Sequence, residues 1–263
     1  MRNINLNCNV GAELSKFASI NDIEFNHHLD SDGVTLTYNI LKTFTDEQGG
    51  ESFYLYLFPG QGGNAEWENN NIEKLMTYVL SIKKHPRMTV VMPYLYYGGN
   101  KVKEAQEITN HIEKIVEHIE GKGSWEDHNS YKKRAVAGLC LGSLSALKCA
   151  LHWENTKRSN VEKFFGVGIF SPANGGENGN WVNGRPNFKF NRPENHYLYM
   201  SYGDCDEKKC HAIRYNDYFN ENKSPVNNFV KIQGGYHNWE AFKTGFADFM
   251  TNEIFAHEFY EKL

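Results

Sequence analysis

Arg134-Ala135-Val136-Ala137-Gly138-Leu139-Cys140-Leu141-Gly142-Ser143-Leu144 reads as a short apolar strand, a tight turn bounded by glycines, and the opening of a helix. A strand-to-helix turn of this kind is strained and brings backbones close together, which is why Gly138 and Gly142 flank it. Cys140 holds the central position, where a reactive side chain is presented at the edge of a sheet. A thiol suits that place, because the start of the following helix stabilises a thiolate and a nearby His promotes its formation. The plainer reading is a buried Cys in a glycine-flanked turn.

Working outward, Tyr54 to Phe58, Thr89 to Pro93, Ala135 to Gly138, Gly166 to Ser171, Tyr197 to Tyr202 and Phe229 to Ile232 are short β-rich runs bounded by Gly, Pro or polar residues, as buried strands are. Between them, Ile72, Leu75, Met76, Val79 and Leu80 recur at helical spacing, as do Ile108, Ile112, Ile115 and Ile119, and then Leu144, Leu147 and Leu151. A closing helix is expected from about Trp239 to Lys262. Alternation of strand and helix predicts an α/β fold with a mostly parallel central sheet and helices on both faces. The first 50 residues predict antiparallel strands, INLNCNV, IEFNHHL and VTLTYNI, leading into that sheet. No repeat or linker divides the chain, so residues 1–263 are expected to form a single domain. The Gly- and Asn-rich stretch 172–195 reads as a surface insertion of the sort that overhangs a site.

Two further loops share an edge with the turn at Cys140. Phe58-Pro59-Gly60-Gln61-Gly62-Gly63-Asn64 follows the strand YLYLF at once, and a glycine-rich loop so placed upstream of the turn makes the backbone N–H groups of Gln61 and Leu141 the candidates for an oxyanion pair. A phosphate cradle would need a Lys-Ser/Thr ending or a dinucleotide spacing that the loop lacks; a plain loop is the bland alternative. Gly234-Gly235-Tyr236-His237-Asn238 follows FVKI, and of eleven histidines only His237 combines this loop with the chain order nucleophile, acid, His. His196 and His211 read as surface residues. The loop after YLYMSY offers Asp204 and Asp206 as the acid that orients the imidazole, with Asp206 preferred and a helix-capping role open to either.

Composition narrows the function classes. There are 28 Lys and Arg against 32 Asp and Glu without long runs, so no basic face exists for nucleic acid or anionic lipid. No stretch approaches a membrane span, and the alternating start lacks the apolar core of a signal peptide. Five cysteines at irregular spacing argue against a disulfide framework and for a reducing, cytoplasmic location, a secreted mature form or excised domain remaining open. Cys205, Cys210 and His211 have no partner pair at zinc-like spacing, so neither metal nor cofactor is expected. Trp67, Trp181 and Trp239 are expected to pack in the core or under a lid rather than line a pocket.

On these residues the chain resembles the esterase D and tributyrin esterase group of α/β-hydrolases, with S-formylglutathione hydrolases and feruloyl or acetylxylan esterases. The likeness runs from about Tyr54 to Leu263 through FPGQGGNAEWENNNIEKLM, VVMP, AVAGLCLGSLSALKCAL, SYGDCD and GGYHNWEAF. It implies an α/β-hydrolase fold with Cys140 as nucleophile, Asp206 as acid, His237 as base, and the amides of Gln61 and Leu141 as the oxyanion hole. Two departures stand out: Pro59 replaces the usual His of the His-Gly loop, and Cys140 replaces the usual Ser, as in dienelactone hydrolases. The expected activity is hydrolysis of a small carboxylic ester or thioester. The alternative is a hydrolase-fold binding protein without catalysis. Acyl group, leaving group and a homo-oligomeric state are left open.

Overall fold

The computed structural model describes residues 1–6, 22–31, 34–42, 52–61, 63, 67, 72–82, 87–94, 101–125, 127, 130–150, 152–153, 163–173, 181–182, 185–186, 190–191 and 197–254. Its strands are β1 (Arg2–Asn5), β2 (Asp22–Ser31), β3 (Val34–Lys42), β4 (Phe53–Phe58), β5 (Met88–Pro93), β6 (Arg134–Leu139), β7 (His152–Trp153), β8 (Gly166–Phe170), β9 (Trp181–Val182), β10 (Arg185–Pro186), β11 (Phe190–Asn191), β12 (Tyr197–Gly203) and β13 (Asn228–Gln233). The helices are α1 (Ile72–Ile82), α2 (Lys101–Glu120), α3 (Gly142–Ala150), α4 (Lys209–Glu221) and α5 (Trp239–Asp248).

One sheet of nine strands has the order β1-β13-β12-β8-β6-β4-β5-β3-β2. Its strands from β5 through β1 pair in parallel, whereas β3 runs antiparallel to both β5 and β2. The period-two alternation of β4 and β6 divides their side chains between two cores. Leu55, Leu57, Ala135 and Ala137 meet α1 and α5 through Leu75, Met76, Val79, Phe242 and Phe246. Tyr56, Phe58 and Val136 face the other way, onto Ile112, Ile115 and Val116 of α2, Leu144 and Leu147 of α3, and Tyr215 and Phe219 of α4. Burial on both faces explains why these strands read as continuous apolar runs. Each fully buried side chain of this size contributes about 1.5–3 kcal/mol.

Two expectations change. The first strand is not part of the antiparallel entry: β1 runs parallel to β13 at the far edge, with Arg2 opposite Val230 and Ile4 opposite Ile232. Alternation marks a strand but carries nothing about its partner. Arg2 is held there by the carboxylate of Asp248, at the end of α5. The closing helix does not stay α-helical, and its expected end at Lys262 lies outside the described residues. The α-helix ends at Asp248 and widens into a π turn over Phe249–Ile254, which keeps Phe249, Met250 and Ile254 all buried. Within the stretch 172–195, β9 pairs with β10 and β11 pairs with β7. Cys8, His196 and the side chain of Trp181 lie outside the described residues.

Among the described residues no helix is long and apolar enough to cross a membrane, and no group of three His, Cys, Asp or Glu is placed to hold a metal ion.

Candidate active site

Cys140 closes β6 with a positive φ of 53°, a conformation that non-glycine residues adopt only when the surroundings enforce it. The enforcement is visible. Its N–H donates to the Phe170 carbonyl of neighbouring β8 at 3.0 Å, and its own carbonyl accepts from the N–H groups of Ser143 and Ala173 at 3.2 and 3.1 Å. The buried Ser143 hydroxyl donates to the carbonyls of Gly138 and Phe170. Space is as tight as the flanking glycines imply: a Cβ on Gly138 would lie 2.1 Å from the Gly142 carbonyl oxygen, and one on Gly142 would lie 2.4 Å from the carbonyl oxygens of Phe58 and Pro59. That last contact seats the loop after β4 against the start of α3. It brings the Phe58–Pro59 backbone against Gly142, the residue after Leu141, whose N–H, just before the helix, has no helical acceptor.

The acid and His loops, after β12 and β13, are tied together as a unit. Asp204 N–H donates to the Ile232 carbonyl at 3.0 Å, Cys205 N–H to the Gly235 carbonyl at 2.9 Å, and Gly234 N–H to Asp204 Oδ1 at 2.8 Å. Gly203 and Gly235 are in backbone contact, so close that a Cβ on Gly203 would fall 2.1 Å from the Gly235 oxygen. The turn leads into α5, which Asn238 caps by accepting the Ala241 N–H.

This arrangement sets the imidazole of His237 between two groups. Nδ1 lies 2.9 Å from Oδ2 of Asp206, and the thiol of Cys140 is close enough to the same ring to raise its proton affinity. Asp206 is 1% exposed. Its Oδ1 accepts the Lys208 N–H at 2.7 Å, and the Ser171 hydroxyl lies close enough to the carboxylate to favour its charge. Burial works against the charge on Asp206, but the hydrogen bonds from His237 and the Lys208 N–H, the His237 charge and Ser171 outweigh it and hold the carboxyl below its ordinary range. The bond to Asp206, and then the Cys140 thiol, raise His237 from 6.5 to about 9 against the opposing effect of its partial burial. The imidazolium is therefore favoured through the neutral range.

Of the two candidate acids, the structure brings Asp206 to His237 and turns Asp204 to the backbone of the His loop. The capping role falls to the same carboxylate that meets His237, since Asp206 Oδ1 takes the N–H of the residue preceding α4, and that helix has no side-chain N-cap of its own. Gln61 is exposed on the loop after β4. His211, on α4, is partly buried and lies 3.8 Å from the Cys210 sulfur; burial first, then Arg214 and Lys208, lower its proton affinity. Trp67 is buried edge-on to Trp239 at 5.5 Å and packs on Phe242, a core role.

Sequence reasoning passed over Ser171. Its φ is 43°, it is buried, and its N–H donates to the Ser201 carbonyl at 2.8 Å while its hydroxyl reaches Asp206. The only signal was position, at the end of the strand between the nucleophile strand and the acid strand.

No family model and no curated protein matches the chain. Solved structures do. The chain is similar to a ferulic acid esterase from the anaerobic fungus Anaeromyces mucronatus, at 17% identity over 89% of this chain and 91% of that one, with a TM-score of 0.65. It is similar to a mutant of the feruloyl esterase module from Clostridium thermocellum complexed with sinapinate, at 13% identity over 89% and 88%, TM-score 0.66. It is also similar to S-formylglutathione hydrolase from Staphylococcus aureus, at 12% identity over 89% and 97%, TM-score 0.59. At these identities the likeness is one of fold, and the chain has the α/β-hydrolase fold.

Proposed function

We propose that the protein hydrolyses a small carboxylic ester or thioester through a triad of Cys140, His237 and Asp206. The observation that carries this reading is His237 spanning Asp206 Oδ2 on one side and the Cys140 thiol on the other, with Cys140 held at positive φ at the head of α3. Solved neighbours of the same fold that bear the names of ester hydrolases support it.

In the reaction so read, the Cys140 proton resides on His237 and the sulfur attacks the acyl carbon. A C–S bond forms as the carbonyl π pair moves to oxygen. The N–H groups of Gln61 and Leu141 hold that oxyanion, where preorganised donors act most strongly. Collapse expels the alkoxide or thiolate, which leaves with the His237 proton, and a thioester remains on Cys140. His237 then takes a proton from water, whose oxygen attacks the thioester; collapse frees the carboxylic acid and returns the proton pair to its starting state. Asp206 holds Nδ1 throughout and balances the imidazolium charge without itself becoming protonated.

Intact-mass measurement after incubation with a panel of activated esters and thioesters tests this directly. An acyl adduct that peptide mapping places on Cys140, and that decays with release of acid, is the expected result. Adducts on Cys205 or Cys210 alone, with no turnover, overturn it and leave a binding protein on a hydrolase fold.

A further inference from the structure

Away from Cys140, a cavity of about 580 Å³ opens between the sheet and the C-terminal end of α2. It lies at the opposite edge of the parallel strands: Tyr54 stands near the start of β4 and Met88 and Thr89 begin β5, whereas the loops of the candidate site follow the strand ends. Nothing in the acyl-transfer reading uses it.

The local backbone is irregular in a way that serves the cavity. Glu24 opposes Ile40 and His27 opposes Tyr38, so three steps along β2 match two along β3, a β-bulge. In a regular strand residues 24 and 27 would point to opposite faces, yet both line this cavity. The bulge re-aims His27 onto Tyr38, and the two rings stack at 5.5 Å with 10° between their planes. His118 of α2 meets the same Tyr38 edge-on at 6.3 Å.

Tyr38 is 0% exposed, and among the described residues its hydroxyl has no hydrogen-bond partner. A buried hydroxyl without a partner is a costly feature that folded proteins rarely retain without a use. The charges are also unbalanced. Glu24 is engaged by Lys42 at 2.8 Å, and His27 Nε2 stands 3.1 Å from its other oxygen, at an angle short of a hydrogen bond. Arg87, exposed at the mouth, has no carboxylate facing it among the described residues.

We propose that this cavity is a second ligand site, for a small carboxylate with a planar apolar body and a polar group at its far end. Arg87 takes the carboxylate, for which the guanidinium fork is suited. Tyr54, Met88 and Ile119 flank the body, and the Tyr38 hydroxyl meets the distal polar group. An anion fits better than a cation because the acidic lining residue, Glu24, already has its counter-charge in Lys42.

The test is calorimetric titration of the whole protein with 4-hydroxybenzoate, with 4-hydroxybenzamide as the neutral isostere. Binding is expected to persist in Cys140→Ala, to weaken about tenfold or more in Arg87→Gln and for the amide, and to weaken about threefold in Tyr38→Phe, a change that removes only the hydroxyl. Binding that vanishes in Cys140→Ala places the probe in the acyl-transfer site and overturns the proposal. So does binding indifferent to Arg87→Gln, or none up to about 10 mM. Should Tyr38→Phe fail to fold, Arg87→Gln, at an exposed position, decides alone. Because Cys140→Ala is scored here by binding and not by turnover, failure of this proposal and failure of the hydrolase reading are separate results.

Discussion

The two edges of the sheet are built on opposite principles. Where the parallel strands end, the polar atoms of Cys140, Ser171, Asp204 and Asp206 have partners, and two non-glycine residues, Cys140 and Ser171, are held at positive φ by the hydrogen bonds around them. Where those strands begin, a bulge, a stacked pair of rings and a buried hydroxyl with no partner among the described residues surround open volume. Strain enforced by a saturated network fixes side chains for chemistry, because rotamers locked by hydrogen bonds hold reacting atoms in register. Unsatisfied polarity around a void instead leaves room for a molecule to complete it.

If the first edge is the reacting one, removing its nucleophile should have the largest effect in the molecule. Cys140→Ala should lower turnover of an activated ester by about 10⁶-fold, the size seen when a triad nucleophile is removed from a serine protease. Steady-state rates with the same ester measure this. A loss of less than about tenfold would move the reaction away from Cys140.

Next in size is the contrast between two carboxylates one residue apart. Asp206→Asn should cost about 10⁴-fold in kcat, because an amide favours the wrong imidazole tautomer. Asp204→Asn, which alters only the carboxylate that takes the Gly234 N–H, should stay within about tenfold. Equal losses in both would show that the two loops act only as a rigid unit and that neither Asp orients His237.

How the sequence fared against the structure follows from where the information resides. The strand-turn-helix at Cys140, the chain order of the three loops and the glycines that permit backbone contact are local, and all were readable. The choice between Asp204 and Asp206 was nearly so. The partner of β1 was not, because a four-residue alternating strand fits either edge and its position depends on Arg2 reaching Asp248 across the whole chain. Ser171 was missed for the same reason. Its hydroxyl matters only because β8 lies between β6 and β12, and strand order is not written in any local pattern. The bulge in β2 was hidden as well, since it alters the pairing register and leaves the composition of the strand unchanged.

A smaller effect separates the edges by pH. In the folded protein His237 holds its proton up to about pH 9, against 6.5 for an unperturbed imidazole. The folded state thus binds more protons between those values. The stability this provides is complete below pH 6.5 and is lost as pH rises through about 9. Asp206, held below its ordinary range, gives the reverse: stability present above about 3.8 and lost on acidification below it. Urea midpoints should therefore fall between pH 7 and 10 more steeply in wild type than in His237→Gln. Lys148, buried and lowered to about 8, titrates in both proteins and cancels in the comparison. Parallel slopes would mean that His237 is not protonated in the folded site.

The smallest predicted effect tests whether the network around Asp206 is more than scaffolding. Ser171 reaches that carboxylate alongside His237 and the Lys208 N–H, so removing its hydroxyl leaves two donors in place. A hydrogen bond to a charged group contributes about 1.5–3 kcal/mol, but with the remaining donors able to tighten, Ser171→Ala should cost nearer the lower end, about tenfold in kcat/KM. Stability alone cannot account for such a loss if the variant unfolds at the same urea concentration. The pH profile discriminates further. A carboxylate with one donor fewer is more basic and supports the imidazolium more strongly, so the alkaline limb of the rate should move upward in pH while the maximal rate falls. An unshifted limb with an unchanged rate would confine Ser171 to shaping the backbone through its bond to the Ser201 carbonyl. The hydrogen-bonding work around Asp206 would then rest on His237 and the start of α4.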